Sequence, residues 1–158
     1  MAVYLTILLL DKKSAVISTS VYLLIGFVGL PVFSGFTGGV GKLFGPTGGY
    51  LVGYLVLSWS AGSILETIQN LKKDRMILQK KAEGENRKGR MLKQILALFS
   101  GTLGLYFFGT FWLMYQSNLT FLAALSVGVL PFVIFDAIKI LAAVVLGNSI
   151  KKRISFMV

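Results

Sequence analysis

The chain has 158 residues, of which 55% are hydrophobic and only 14% charged, and its mean hydropathy is +0.77. A soluble domain carries about 25% charged residues, so this chain cannot clothe a water-facing surface; it reads as a single membrane domain over residues 1–158. Cys and His are both absent, which excludes disulfide scaffolds, Cys/His zinc sites, haem ligation and His-based triads.

In chain order, Met1–Leu10 is apolar but too short for the ~20 residues a membrane helix needs. Asp11, Lys12 and Lys13 follow this run, whereas a signal peptide has its basic residues before the apolar core and a small-residue cleavage site after it. The segment therefore reads as the tail of a spanning helix whose first part is missing. Ala15–Phe33 carries no charge and is the first full span. Tyr50–Leu65 is the next, reaching Gln69 with Glu66 at the interface. Ile95–Tyr115 follows. Leu119–Ile150 is apolar apart from Pro131, Asp136 and Lys139. As one straight helix it would measure ~48 Å, against a hydrocarbon core of ~30 Å. It divides at Pro131, a residue suited to a first helical turn. Leu119–Leu130 is then a short interfacial or re-entrant piece, and Pro131–Ile150 a helix. The expected fold is an all-α polytopic bundle of about five membrane segments.

The net charge of +10 comes from 16 Lys+Arg against 6 Asp+Glu. Fourteen of those basic residues fall in Asp11–Ser14, Asn70–Lys93 and Lys151–Val158; Lys42 stands alone on the other side and Lys139 lies within a helix. This separation predicts a cytoplasmic C-terminus. Leu71–Arg90 has no interleaved aromatics, which a single-strand binder would use for stacking, so the basic loop sets topology and no nucleic-acid partner is expected.

The outer loop, Ser34–Gly49, is rich in glycine. A phosphate-binding loop needs Gly-x-x-x-x-Gly-Lys-Ser/Thr, but Phe36 stands where the first glycine belongs and Leu43 follows Lys42. Two readings remain. Gly41, Gly45, Gly49 and Gly53 have the four-residue spacing of close helix packing. Alternatively the loop folds over a ligand, with Phe33, Phe36, Phe44 and Tyr50 as apolar walls and Gly45, Pro46, Thr47, Gly48 and Gly49 as a rigid turn into the next helix.

Asp136 and Lys139 are the two strong charges inside the membrane. At i and i+3 they share a helix face, and each is costly there unless paired or turned toward a cavity. They form either a structural ion pair or a polar binding site in the outer half. No metal site and no catalytic constellation is visible: without His, Cys or a second membrane carboxylate, little remains for acid–base or metal chemistry.

The stretch GLPVFSGFTGGVGKLFGPTGGYLVGY and the later LPFVIFDAIKILAAVVLG together resemble the BioY family, the substrate-binding membrane subunits of biotin uptake systems. The resemblance covers Leu10 to Gly147. It implies a six-helix bundle that binds biotin near its outer face in a bacterial plasma membrane. The implied partners are membrane lipid, an energy-coupling transmembrane subunit and two ATPases, with a homo-oligomer left open and no cofactor. It further implies that Asp136 and Lys139 contact the vitamin, while the loop residues Gly45, Pro46, Thr47, Gly49 and Tyr50, with Phe33, close the site. Family members begin with one more helix, which helps dock the coupling subunit; this chain starts partway into the second. The alternative is a non-transporting structural membrane subunit with Asp136–Lys139 as a bridge.

The charge separation is open to a direct test in a cysteine-free chain. Single cysteines at Ser34 and Gly84 should label from outside and from the cytoplasm, respectively, with an impermeant thiol reagent. Labelling of Gly84→Cys from outside, with Ser34→Cys protected, inverts the orientation.

Overall fold

The computed structural model describes residues 1–78 and 87–154, with the side chains of all but 72–78, 87 and 154. The tip of the expected basic loop lies outside the described residues. Among the described residues seven helices follow in order: α1 (Ala2–Leu9), α2 (Lys12–Phe27), α3 (Val40–Leu43), α4 (Gly48–Leu78), α5 (Arg87–Ser117), α6 (Phe121–Gly128) and α7 (Leu130–Ile154). Three of them are long and apolar enough to cross a membrane, over Gly48–Leu71, Lys88–Ser117 and Leu130–Arg153. The apolar surface also faces outward: Leu24, Val28, Phe107, Ile134 and Phe135 are all exposed, which suits a protein solvated by lipid.

Asp11 separates the first two helices. The extended backbone of Leu10 ends the α1 segment, and the Asp11 carboxylate accepts the Ser14 N–H at 3.2 Å and the Ser14 hydroxyl at 2.7 Å. These bonds, the hydroxyl's first, hold its carboxyl below the ordinary range. The expected span Ala15–Phe33 is corrected at both ends. This cap starts α2 at Lys12, and Gly29, at φ +110°, turns the chain away before Pro31, which has no N–H to continue a helix. The resulting 16 residues measure ~24 Å. The basic-side ends are corrected too: α4 continues to Leu78 and α5 begins at Arg87, so most of Asn70–Lys93 outside 79–86 is helical. As expected, the last apolar run is broken in two, with Thr120 capping α6 through the Ala123 N–H at 3.4 Å and Pro131 in the first turn of α7.

The core is centred on α4 and α5, whose contact is the most extensive in the bundle. Leu57, Ala61, Ala97, Leu98 and Leu105 are buried along it, joined by Tyr4, Ile7 and Leu8 of α1 and Ile140, Ala143 and Val144 of α7. Small residues let the two backbones approach. A β-carbon on Gly101 would sit 2.7 Å from Leu57 Cδ1 and 3.0 Å from Ala61 Cβ, whereas one on Gly104 would meet only Val56 Cγ1, at 3.4 Å.

This contrast predicts opposite outcomes for two identical substitutions on one helix. Gly101→Ala should destabilise by about 1–3 kcal/mol through overpacking. Gly104→Ala should be neutral or stabilising by about 0.5–1 kcal/mol, because alanine favours the helix. Thermal midpoints of the two variants in one detergent decide; equal midpoints would show that the seam is loose at Gly101.

Candidate functional site

Asp136 lies six residues into α7, Tyr54 six residues into α4 and Tyr22 five residues before the end of α2. All three therefore sit near the bundle end that carries the 28–47 connection. There they border a cavity of about 440 Å³ whose walls come from the start of α1, from α2, Val32, α4, α5 and α7. Its polar lining includes Asp136, Lys139, Tyr4, Tyr22, Tyr54 and Thr19; Leu57 and Leu105 supply apolar wall. The volume falls within the range of about 300–1,000 Å³ for small-molecule sites.

The expected pair is formed. Lys139 Nζ donates to Asp136 Oδ1 at 2.9 Å, and the Tyr106 hydroxyl donates to Asp136 Oδ2 at 2.5 Å. The Asp136 side chain is 17% exposed and that of Lys139 42%, so the carboxylate is the more enclosed partner. An ionised carboxylate offers about four acceptor positions and an ammonium three donors. Among the described residues Asp136 has one protein donor on each oxygen and Lys139 one protein acceptor, so both retain capacity for a ligand. Tyr106 brings α5 into a network that the i,i+3 spacing confines to α7.

The other expected site residues do not line this cavity. Phe33 is buried in a satellite cluster with Leu23 and Leu51. It meets Tyr22 edge-on with centroids 5.6 Å apart, and its ring occupies the space a β-carbon on Gly26 would need. Gly45 turns its carbonyl to the Trp112 indole N–H at 3.0 Å. Pro46 and Thr47 are exposed. Gly49 packs directly on Trp112, and Tyr50 fills the space left by Gly109 and Gly128. The Tyr50 hydroxyl is buried without a hydrogen-bond partner among the described residues. Of the proposed walls, Phe36 and Phe44 are 90% and 60% exposed. The glycine block thus packs helix ends together.

Residue-by-residue reading of the sequence missed the tyrosines. Tyr4, Tyr22, Tyr54 and Tyr106 come from four different helices and meet only in the fold. Their one sequence signal was a set of hydroxyl-bearing residues inside otherwise apolar runs, joined by Ser18 and Thr19 on α2.

Comparison with known proteins gives a consistent picture. The sequence profile of the BioY family matches residues 1–156. The biotin transporter BioY of Thermotoga maritima is 34% identical over 153 residues, covering 95% of this chain and 76% of that protein. The biotin transporter BioY2 of Lactococcus lactis subsp. cremoris is 29% identical over 159 residues, covering 98% and 75%. Among solved structures, the S-component for biotin from an ECF-type ABC transporter superposes with a TM-score of 0.75 at 28% identity, covering 95% of this chain and 71% of the other.

Proposed function

The chain belongs to the BioY family, and on that premise we propose that it is the component of a biotin uptake system that captures the vitamin within the membrane. It acts as the S-component of an energy-coupling-factor transporter and is a transport protein, not an enzyme. The partners are biotin and the energy-coupling module, with its transmembrane subunit and two ATPases. The finer reading is a multi-pass protein in the plasma membrane, cytoplasmic at its C-terminus, with its site in the outer half. The charge separation supports this, because the bundle end bearing the cavity is opposite the ends that carry the basic residues.

The observation that carries the binding reading is an ion pair with spare hydrogen-bonding capacity at the wall of a 440 Å³ cavity. Biotin has a ureido ring at one end, a carboxylate at the other and an apolar bicycle and chain between. Asp136 accepts ureido N–H groups, and Lys139 donates to the adjoining ureido carbonyl. A carboxylate and an ammonium in contact present acceptor and donor side by side, as the ureido edge requires. The structural-bridge alternative has one observation in its favour: each Asp136 oxygen already has a protein donor.

The two readings diverge on paired substitutions. Asp136→Asn and Lys139→Met should each weaken biotin binding by about 2–5 kcal/mol, the scale for a desolvated pair that loses one member. The double variant removes both charges, so folding can recover while affinity does not. Calorimetric binding on the purified proteins, alongside their thermal midpoints, separates the cases. Near-parent affinity in a folded double variant refutes the site assignment, and a folded parent that does not bind biotin refutes the function.

A further inference from the structure

The bundle end opposite the cavity carries a second polar seam that biotin capture does not use. There the Gln94 side chain of α5 and the Asn148 side chain of α7 exchange amide hydrogen bonds of 3.4 and 2.8 Å, and Asn148 is fixed in turn by a 2.9 Å bond to the Val144 carbonyl. Helix α5 begins at this end and α7 finishes at it. Arg90 lies four residues before Gln94, and Lys151 three residues after Asn148. Each therefore stands one turn, ~4.5–6 Å, beyond the bridge, on the helix face of the bridging residue. Lys152 follows at i+4 from Asn148. All three are exposed, and Arg90 comes near enough to Lys151 to oppose its charge.

Two cations brought together at the edge of hydrocarbon repel each other unless an anion joins them. Neither helix supplies one. Helix α5 has no acidic residue, and the acidic residue of α7, Asp136, is ~22 Å from Lys151 along the axis. Among the described residues neither Arg90 nor Lys151 is paired with a carboxylate. The amide bridge keeps the two helices from parting to relieve the repulsion. Leu92 and Ile150, at the same height on the two helices, are both exposed, so apolar surface adjoins the cations directly.

We propose that Arg90, Lys151 and Lys152 bind the phosphate of an anionic membrane lipid in the leaflet on the basic side, with its acyl chains against the apolar flank at Leu92 and Ile150. A guanidinium can hold two phosphate oxygens at once, and an ammonium adds a point charge. Basic pockets between membrane helices bind such headgroups. Inorganic phosphate has the same chemistry, but only a lipid also covers the adjoining apolar surface. The bound phosphate cancels the repulsion and ties α5 to α7 at one end of the bundle, while Tyr106 and Asp136 join the same two helices at the other.

The test follows the thermal midpoint of the full chain in a neutral detergent, without biotin, as phosphatidylglycerol, phosphatidylcholine with the same chains, or inorganic phosphate is added. A ligand bound to the folded state raises the midpoint by mass action. Phosphatidylglycerol should raise it saturably, and the other two should not. Arg90→Gln and Lys151→Gln should each increase the half-saturating phosphatidylglycerol concentration about tenfold, the loss expected for a hydrogen bond between charged groups. Lys13→Gln removes the same charge from another exposed position at the basic end and should leave that concentration unchanged. If one of the two site variants does not fold, the other decides. Equal stabilisation by phosphatidylcholine, or an equal loss in Lys13→Gln, reduces the effect to boundary lipid or net charge and overturns the proposal. Stabilisation by inorganic phosphate at the same concentrations makes this a free-anion site and overturns the lipid assignment. A folded parent that does not respond to phosphatidylglycerol overturns it outright.

Discussion

Within hydrocarbon, a hydroxyl or charge that finds no partner inside the protein finds none at all. Three helix contacts of this bundle follow that constraint, whereas the buried Tyr50 hydroxyl between α4 and α5 has no partner among the described residues. Tyr4 and Thr102 join α1 to α5, Thr19 and Ser58 join α2 to α4, and Gln94 and Asn148 join α5 to α7 through reciprocal amide bonds of 3.4 and 2.8 Å. Individual bonds of this kind contribute only about 0.6 kcal/mol on average in membrane proteins. Their larger effect is on register: an apolar seam can slide, whereas a hydroxyl pair 2.8 Å apart cannot slide without exposing both members.

The same constraint shapes the ion pair. A charged pair in a membrane has to be held without collapse of the bundle and without drawing water deep into it. Asp136 meets this with one donor from its own helix and one from α5, so its charge is compensated before any ligand arrives. Lys139 remains partly exposed, and with two unused N–H donors it can turn toward a ligand while still touching the carboxylate. Three side chains from two helices thus form a preorganised group, which in the proposed binding role calls for little rearrangement.

Much of the architecture was legible because it depends on local patterns. Three of the apolar runs gave the membrane-length helices among the described residues, Pro131 marked the break between α6 and α7, and the i,i+3 spacing of Asp136 and Lys139 gave their bond. The expectations that failed depend on backbone conformation or on long-range assembly. Ala15–Phe33 is apolar throughout, and hydropathy cannot register that Gly29 adopts a positive φ and ends the helix six residues early. Neither does hydropathy mark the helical continuation of α4 through the basic residues after Asn70. The tyrosines were invisible as a group: Tyr4 and Tyr106 are about a hundred residues apart, and both serve α7's site only because α1 and α5 flank that helix.

The glycine block shows how a motif can bear on a site from a distance. Its residues do not line the cavity, yet they fix the element that does. Gly49 leaves room for Trp112, which bonds back to the Gly45 carbonyl, and this ties the first turn of α4 to the last turns of α5. The next residue, Tyr50, fills the gap over Gly109 and Gly128 and locks the rotation of α4 about its axis. Tyr54 follows after four more residues, on the same face, and that rotation is what delivers its hydroxyl to the cavity. A side chain larger than glycine at position 49 would displace Trp112, and the displacement would reach the cavity through the register of α4. The glycines and the charged pair, roughly 90 residues apart in the chain, are thereby coupled by helix geometry.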